Sequence, residues 1–212
     1  NNVITCKNII KFNSSQQKKS KIVLFSTSEV YSPLIKKNKV KFPIKELNNI
    51  LIENEIIPRD SYYLSKIFNE KLLKLSKTNY LIMRPHNIYG PRMGNSHVIP
   101  ELIKKMLLEK KKLKKNSIVY SPFHKRAFCY IDDAVEQIIA LTLKNNNNNK
   151  IFNIGNMKEE IKIIDLAKKI KKLVFKKSNL IKGKITSGSP ARRVPCMKKT
   201  IQKSKIRNFT NI

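Results

Sequence analysis

The chain has 212 residues, a formal net charge of +31, and 41% hydrophobic residues. This length and apolar content allow one substantial core and exclude a disordered tail. No apolar run approaches the length of a membrane span, so we expect no membrane partner.

The positive charge comes mostly from lysine, since only seven of the 45 basic residues are arginine. Lys, Asn and Ile share adenine/thymine-rich codons, so biased coding explains this composition without any nucleic-acid ligand. No zinc-finger, basic-zipper or aromatic RNA-binding motif accompanies the charge. We therefore expect no nucleic-acid partner, although a basic nucleic-acid-binding module stays open as an alternative that salt-sensitive DNA binding would reveal.

Three cysteines, Cys6, Cys129 and Cys196, are far apart and lack metal-ligand spacing. This pattern predicts reduced thiols in a cytoplasmic protein. The chain shows no signal peptide and begins with Asn1 rather than Met, so we expect it to be part of a longer or processed protein.

Apolar spacing predicts the elements of the first half of the chain. In order, they are a helix at 2–12, a connector at 13–20, a buried strand at 21–25, an irregular stretch at 32–60, a helix at 61–76, and a second buried strand at 80–84 that Pro85 ends.

The second half continues the alternation. We predict a loop at 90–100, a helix at 101–110, short strands at 117–120 and 127–130, a helix that Asp132 caps and that runs to 144, an asparagine-rich linker or loop tip at 145–149, a strand at 150–154, a helix at 163–174, and a loop-like tail from 182 onward. Short buried strands between helices predict an α/β architecture with a parallel sheet.

Tyr62 and Lys66 are four residues apart and lie on one face of the predicted helix. A nearby ammonium favours the phenolate form of tyrosine, and such a tyrosine can exchange a proton with a sugar hydroxyl. Taken alone, Tyr-x-x-x-Lys is a weak signal, because lysine-rich helices produce it by chance.

The predicted strand at 21–25 ends in the hydroxyl cluster Ser26, Thr27 and Ser28. Ligands of parallel sheets bind at the carboxyl ends of the strands, so Thr27 can contact the same substrate oxygen as Tyr62. Glu29 adds a carboxylate there, although turn-forming hydroxyls and a solvated loop charge are the ordinary alternative.

Five motifs occur in order along the chain. They are Ser-Thr-Ser-Glu-Val-Tyr at 26–31, Tyr-x-x-x-Lys at 62–66, Arg-Pro-His-Asn-Ile-Tyr-Gly-Pro-Arg at 84–92, Arg-Ala-Phe-Cys-Tyr-Ile-Asp-Asp at 126–133 and Phe-Asn-Ile-Gly-Asn at 152–156. With these motifs the chain resembles the extended short-chain dehydrogenase/reductase family, in particular the NAD-dependent nucleotide-sugar epimerases and dehydratases, over about residues 2–195.

The resemblance implies NAD as the cofactor and a nucleotide-diphosphate sugar as the substrate. It implies Thr27, Glu29, Tyr62 and Lys66 as the catalytic residues. The cofactor contacts that it implies are Asn2, Ser26, Tyr62, Lys66, Pro85 and His86, and the substrate contacts are Asn87, Val98, Ile99, Arg126 and Arg193. The irregular spacing of His86, His97 and His124 predicts no metal site.

The family resemblance also implies a partial Rossmann-like, doubly wound parallel sheet with a smaller C-terminal α/β substrate-binding region. Residues 1–90 would form the first part and 91–212 mainly the second, with helix 132–144 packing back on the sheet. No glycine precedes Gly90, so the family's Gly-x-x-Gly-x-x-Gly loop is not found, and we expect the first strands of the family's sheet to be missing as well. Relatives also suggest a homodimer of the full-length form through paired helices, one of them the Tyr62 helix.

Two functional hypotheses follow. The first is an enzyme that transiently oxidises a nucleotide sugar at C4 and then epimerises, dehydrates or decarboxylates it. The second is a truncated, non-catalytic relative that needs a missing N-terminal half. Glu29 favours dehydration or decarboxylation without deciding between these reactions and epimerisation.

Overall fold

The computed structural model describes residues 1–55, 57–58 and 60–212. Within these residues the α-helices are α1 (Asn2–Ser15), α2 (Ser32–Lys36), α3 (Asp60–Leu75), α4 (Val98–Lys111), α5 (Ile131–Thr142), α6 (Ile163–Val174) and α7 (Lys198–Ser204). The strands are β1 (Ile22–Phe25), β2 (Tyr80–Pro85), β3 (Ile88–Tyr89), β4 (Asn116–Val119), β5 (Lys125–Ala127), β6 (Cys129–Tyr130), β7 (Lys150–Ile154), β8 (Glu160–Lys162), β9 (Asn179–Lys182) and β10 (Arg192–Arg193).

The central sheet is parallel and has the order β1-β2-β7. Side chains of successive residues in a strand point to opposite faces, so β2 has side chains on both faces of the sheet. On one face Leu81 and Met83 pack with Ala134 and Leu141 of α5. On the other face Arg84 contacts the Glu70 side chain of α3. The sheet therefore lies between helices, as an α/β fold requires.

A second core forms beyond the central sheet. Leu102 and Met106 of α4, Val119 of β4, and Leu166 and Ile170 of α6 pack together there. Three smaller sheets surround it, with the orders β10-β5-β8, β3-β6 and β4-β9. These strands and helices position the loops that follow the central sheet.

Most predicted elements are confirmed. The helix at 163–174 has the bounds of α6, the strand at 150–154 has those of β7, and α1, β1, α3 and β2 differ from their predictions by three residues or fewer. All three cysteines are free and buried. None of the helices in the described ranges is long and apolar enough to cross a membrane.

Two predictions of irregular or loop structure are wrong. The stretch 32–60 is not wholly irregular, because a 3₁₀ turn at Ser28–Tyr31 leads into α2. Pro33 fits the first turn of this helix because no amide hydrogen is needed there. The loop predicted at 90–100 is shorter, since α4 already begins at Val98.

The capping prediction for Asp132 is also wrong. Tyr130 is the cap residue of α5, and Asp132 lies inside the first turn without a side-chain capping bond. Its carboxylate there is still favourable, because a negative charge near a helix N-terminus opposes the helix dipole.

The tail is more ordered than predicted. From residue 182 onward it contributes β10, which pairs with β5, and it ends in α7 and an extended segment. Strand β9, which pairs with β4, comes just before this tail. The predicted strand at 127–130 is two strands, β5 and β6, with different partners. Within the asparagine run, Asn147 is buried and its amide donates to the Leu141 carbonyl, so this run is a packed turn.

Candidate functional site

A cavity of about 920 Å³ lies where β1 and β2 end. Parallel strands bring their carboxyl ends to one edge of the sheet, and ligands of such sheets bind there. The predicted site residues that line this cavity are Thr27, Glu29, Tyr62, Pro85, Asn87, Val98, Arg126 and Arg193.

The segment after β1 supplies a hydroxyl and a carboxylate to the cavity. The Thr27 side chain caps the 3₁₀ turn, accepting a hydrogen bond from the Glu29 amide at 3.2 Å. The Glu29 carboxylate lies 3.8 Å from the Arg193 guanidinium. The short turn therefore brings both side chains to the same cavity wall.

Helix α3 supplies the tyrosine. Tyr62 lines the cavity and is 46% exposed, so its phenol is accessible to a ligand. The Lys66 ammonium lies 5.8 Å from the centre of the Tyr62 ring and donates a hydrogen bond of 2.9 Å to the Phe25 carbonyl. Burial lowers the pKa of Lys66 from its ordinary value.

Two guanidinium groups also line the cavity. Arg126 donates to the Ser189 hydroxyl at 2.9 Å and to the Pro190 carbonyl at 2.6 Å. Arg193 donates to the Ser32 hydroxyl at 3.4 Å. These bonds hold both planar cations against a cavity that also contains Lys105 and Lys184, a setting that attracts phosphate groups.

Asn87 lies between β2 and β3 and also lines the cavity. Its backbone has a positive φ of 42°, which asparagine tolerates better than most residues. The Asn87 amide group donates to the Ala127 carbonyl at 2.9 Å, which fixes the side chain at the cavity.

A buried polar cluster lies directly behind the cavity, and we call it the Arg84 cluster. It consists of Arg84, Glu70, Tyr31, Asn153 and His86, all of them almost fully buried. Arg84 makes a fork to Glu70 with bonds of 2.9 and 2.6 Å and donates to the Tyr31 hydroxyl at 2.7 Å. Such a bidentate pair is strong and geometrically specific.

The pKa values in the Arg84 cluster follow from its burial. Burial raises the pKa of Tyr31 to about 12, and burial lowers the pKa of His86 to about 3. Burial acts to lower the pKa of Arg84, but its hydrogen bonds and charge interactions with Glu70 and Tyr31 together outweigh burial and raise that pKa above its ordinary value. At neutral pH the His86 ring is therefore uncharged, and its Nε2–H donates to the Asn153 side chain at 3.1 Å.

A sequence model of the NAD dependent epimerase/dehydratase family matches residues 1–155. The chain belongs to this family. The family description agrees with NAD as the cofactor that the motifs imply.

Two curated relatives are similar over most of this chain. A dTDP-D-glucose 4,6-dehydratase of Dictyostelium discoideum is 34% identical over 172 residues, which cover 78% of this chain and 36% of that protein. A UDP-D-apiose/UDP-D-xylose synthase of Oryza sativa subsp. japonica is 30% identical over 193 residues, covering 78% of this chain and 47% of that protein. The chain thus spans about a third to a half of these relatives.

Solved structures show the same fold. The NAD-dependent NDP-hexosamine 5,6-dehydratase TunA matches with a TM-score of 0.78 and 18% identity, over 100% of this chain and 65% of its own. A UDP-glucuronic acid 4-epimerase from Bacillus cereus, in complex with NAD, matches with a TM-score of 0.75 and 23% identity, over 100% of this chain and 63% of its own. These likenesses confirm a Rossmann-like α/β fold.

Five of the residues that the family motifs suggest do not line the cavity. Asn2 is exposed at the start of α1, and Ile99 packs against the second core. Lys66 reaches the Phe25 carbonyl instead, while the side chains of Ser26 and His86 turn into the Arg84 cluster.

The motifs missed several cavity residues. Glu101 and Lys105 line it from α4, three and seven residues after Val98, so helical spacing alone could have indicated them. Tyr120 follows β4, where strand-end reasoning applies. The stretch that contributes Lys184 and Thr186 carries no comparable sequence signal.

No group of three or more His, Cys, Asp or Glu side chains in the described part of the chain is arranged to hold a metal ion.

Proposed function

We propose that this chain carries the sugar-oxidising site of an NAD-dependent nucleotide-sugar epimerase or dehydratase, which transiently oxidises the sugar at C4. One observation supports this most strongly: Tyr62, Thr27 and the two guanidinium groups of Arg126 and Arg193 face a single cavity. Proton-transfer groups and phosphate-binding groups thereby line the same cavity.

The Tyr62 phenolate takes the proton of the C4 hydroxyl, and the Thr27 hydroxyl hydrogen-bonds the same oxygen. NAD, when bound, supplies the hydride acceptor for C4 and returns the hydride later. The Lys66 ammonium lies 5.8 Å from the centre of the Tyr62 ring. In an epimerisation, return of the hydride to C4 would be matched by return of the Tyr62 proton to the C4 oxygen, so protons and electrons balance over that cycle.

The substrate diphosphate lies against Arg126 and Arg193, with Asn87 beside it. Guanidinium groups form bidentate hydrogen bonds with phosphates and stay charged at every working pH. Val98 begins the nucleotide pocket at the start of α4. These contacts do not specify which nucleotide base or which sugar is bound, because uridine, guanosine and thymidine diphosphates present the same phosphates to the arginines.

Glu29 favours a reaction beyond epimerisation. A 4-epimerase needs oxidation, rotation of the keto sugar and reduction, which Tyr62, Lys66 and Thr27 can serve. Dehydration or decarboxylation requires a further step on the ketone, and the Glu29 carboxylate lies at the same cavity wall. The mass of the product separates these reactions, since an epimer keeps the substrate mass whereas the other two lose water or carbon dioxide.

The described residues fit the nicotinamide end of NAD better than its pyrophosphate end. Pro85, Tyr62 and the Lys66 ammonium lie at the strand ends, where the nicotinamide ribose would be held. Helix N-termini bind the pyrophosphate through a glycine-rich turn, and the first 89 residues contain no glycine. We therefore expect the 212-residue chain to bind NAD weakly by itself.

A second candidate is a non-catalytic relative that needs a missing N-terminal half. The position of β1 favours this candidate. Among the described residues β1 pairs only with β2, so its other edge could pair with a strand of the missing half. An in-frame Gly-x-x-Gly-x-x-Gly upstream in the genome would favour the enzyme. We also propose that the full-length form is a cytoplasmic homodimer that pairs through α1 and α3, which contact each other here.

Calorimetry of the 212-residue chain tests both proposals. Nucleotide-diphosphate sugars should bind, and Arg193→Met should weaken them about tenfold or more through loss of a charge-assisted hydrogen bond. Arg192→Met removes the same charge from a side chain outside the cavity lining and should change affinity little. Failure of every nucleotide sugar to bind would contradict the function, and tight NAD binding would contradict the missing-half proposal.

A further inference from the structure

We propose that Glu70 is a positioning residue, which fixes the segment that carries Thr27 and Glu29 relative to the helix that carries Tyr62. This proposal rests on the proposed function, because it assigns Glu70 a role in arranging that site. It is carried by hydrogen bonds that bracket the segment at both ends.

The first observation is the spacing of three residues along α3. Tyr62, Lys66 and Glu70 follow each other at intervals of four, so they occupy consecutive turns of one helix face. The Lys66 ammonium binds the Phe25 carbonyl at 2.9 Å, and the Ser26 hydroxyl donates to the Glu70 carboxylate at 2.6 Å. Two turns of α3 therefore hold the two residues that immediately precede Thr27.

The second observation is that the same ion pair also holds the other end of the segment. Arg84, fixed by its fork to Glu70, donates to the hydroxyl of Tyr31 at 2.7 Å. Tyr31 is the last residue of the 3₁₀ turn that contains Glu29. The pair of Glu70 and Arg84 thus contacts Ser26 before the turn and Tyr31 at its end.

The third observation is that Glu70 itself is immobilised. Its side chain is fully buried, and both carboxylate oxygens accept bonds from Arg84. A buried ion pair adds little net stability compared with apolar residues of similar size, so stability alone explains its presence poorly. A site that transfers protons needs its groups held to within a fraction of an ångström, and a rigid fork supplies that precision.

Hydrogen exchange tests this without any turnover. Ser26→Ala and Tyr31→Phe each remove one of the two hydroxyls that hold the ends of the segment. Both variants leave the charges of Glu70 and Arg84 in place. We expect amide exchange in residues 27–32 to rise about tenfold in each variant, notably at Glu29 and Ser32, whose amides bond within the turn. Ser76→Ala, which removes a hydroxyl bonded to the Leu73 carbonyl, is the matched control.

Unchanged exchange at 27–32 in both variants would overturn the proposal, and so would a rise spread evenly over the whole chain, which marks a merely structural role. Hydrogen exchange can be measured on a chain without enzymatic activity. Absence of activity would therefore count against the proposed function, while the exchange rates would still decide the proposal for Glu70. Where a nucleotide sugar is turned over, Ser26→Ala should lower kcat about tenfold with KM unchanged. That loss should disappear in a Thr27→Ala background, since Ser26 acts through Thr27.

Discussion

The two edge regions of the central sheet, with β1 at one edge and β7 at the other, differ in how completely their apolar side chains are buried. The β2–β7 side is buried beneath α5 and α7, with Leu81, Phe152 and Ile154 fully inaccessible to solvent. On the β1 side, α1 leaves Ile4 and Phe12 more than 60% exposed, and Phe25 at the end of β1 is 46% exposed. Parallel sheets usually bury their apolar side chains on both faces, so the exposed apolar side chains near β1 are unusual for this class of sheet.

This difference shows how the candidate site is built. The side chains that fix its geometry, above all Arg84 and Glu70, are almost fully buried, whereas Tyr62, on the same helix as Glu70, is half exposed. The buried Arg84 cluster can therefore hold the reactive side chains in place, while apolar side chains near β1 remain exposed to solvent. Mutations on the two sides should have very different effects.

The largest expected effect is from Arg84→Met. It leaves the buried Glu70 carboxylate without its fork, which should lower the free energy of unfolding by about 3–5 kcal/mol. Arg192→Met is the matched control, because Arg192 makes an equally short fork to Glu160 at a partly exposed position. That change should cost less than about 1 kcal/mol. Urea denaturation measures both, and equal losses would contradict the comparison.

A smaller effect concerns pH and His86. Burial lowers the pKa of His86 to about 3, so between pH 6.5 and 3 the unfolded chain binds a proton here that the folded chain does not. Stability should therefore fall with falling pH, by up to about 1.4 kcal/mol per pH unit from this group. His86→Gln should reduce that slope below pH 6.5 and leave it unchanged above, whereas exposed His97→Gln serves as the control. Identical slopes in wild type and His86→Gln would refute the assignment.

The smallest effect on stability is expected on the β1 side. Phe12→Ser, at a position 67% exposed, should change the free energy of unfolding by less than about 0.5 kcal/mol. It should nevertheless reduce aggregation, since exposed apolar surface next to an open strand edge promotes association. Light scattering at rising protein concentration measures this. Unaltered aggregation in both Phe12→Ser and Ile4→Ser would show that this surface is not the cause.

The sequence predicted the parts of the fold that depend on local patterns. Helix α6 was found with its bounds because its apolar residues recur every three to four positions, and β7 is a short apolar run. By contrast, β9 and β10 form only because β4 and β5 lie next to them, and those partners are more than 60 residues away along the chain. Local propensity contains no information on such pairings.

The same division applies to the candidate site. The motifs pointed to Thr27, Tyr62, Arg126 and Arg193, which one cavity brings together. They could not show that the His86 side chain turns away from that cavity, because its direction depends on Asn153, a residue 67 positions later. The role proposed for Glu70 likewise depends on contacts with other parts of the chain.

One comparison of two variants tests the central claim most directly. The chain is given millimolar NAD and uridine-, guanosine- and thymidine-diphosphate sugars in turn, and the conversion of each sugar is followed. Tyr62→Phe removes the proposed proton-transfer group, whereas Tyr63→Phe removes a buried hydroxyl that has no hydrogen-bond partner among the described residues.

We expect wild type and Tyr63→Phe to convert the same nucleotide sugar, and Tyr62→Phe to be slower by about 10²–10⁴-fold, the usual contribution of acid–base catalysis. Equal turnover by Tyr62→Phe and Tyr63→Phe would contradict the account.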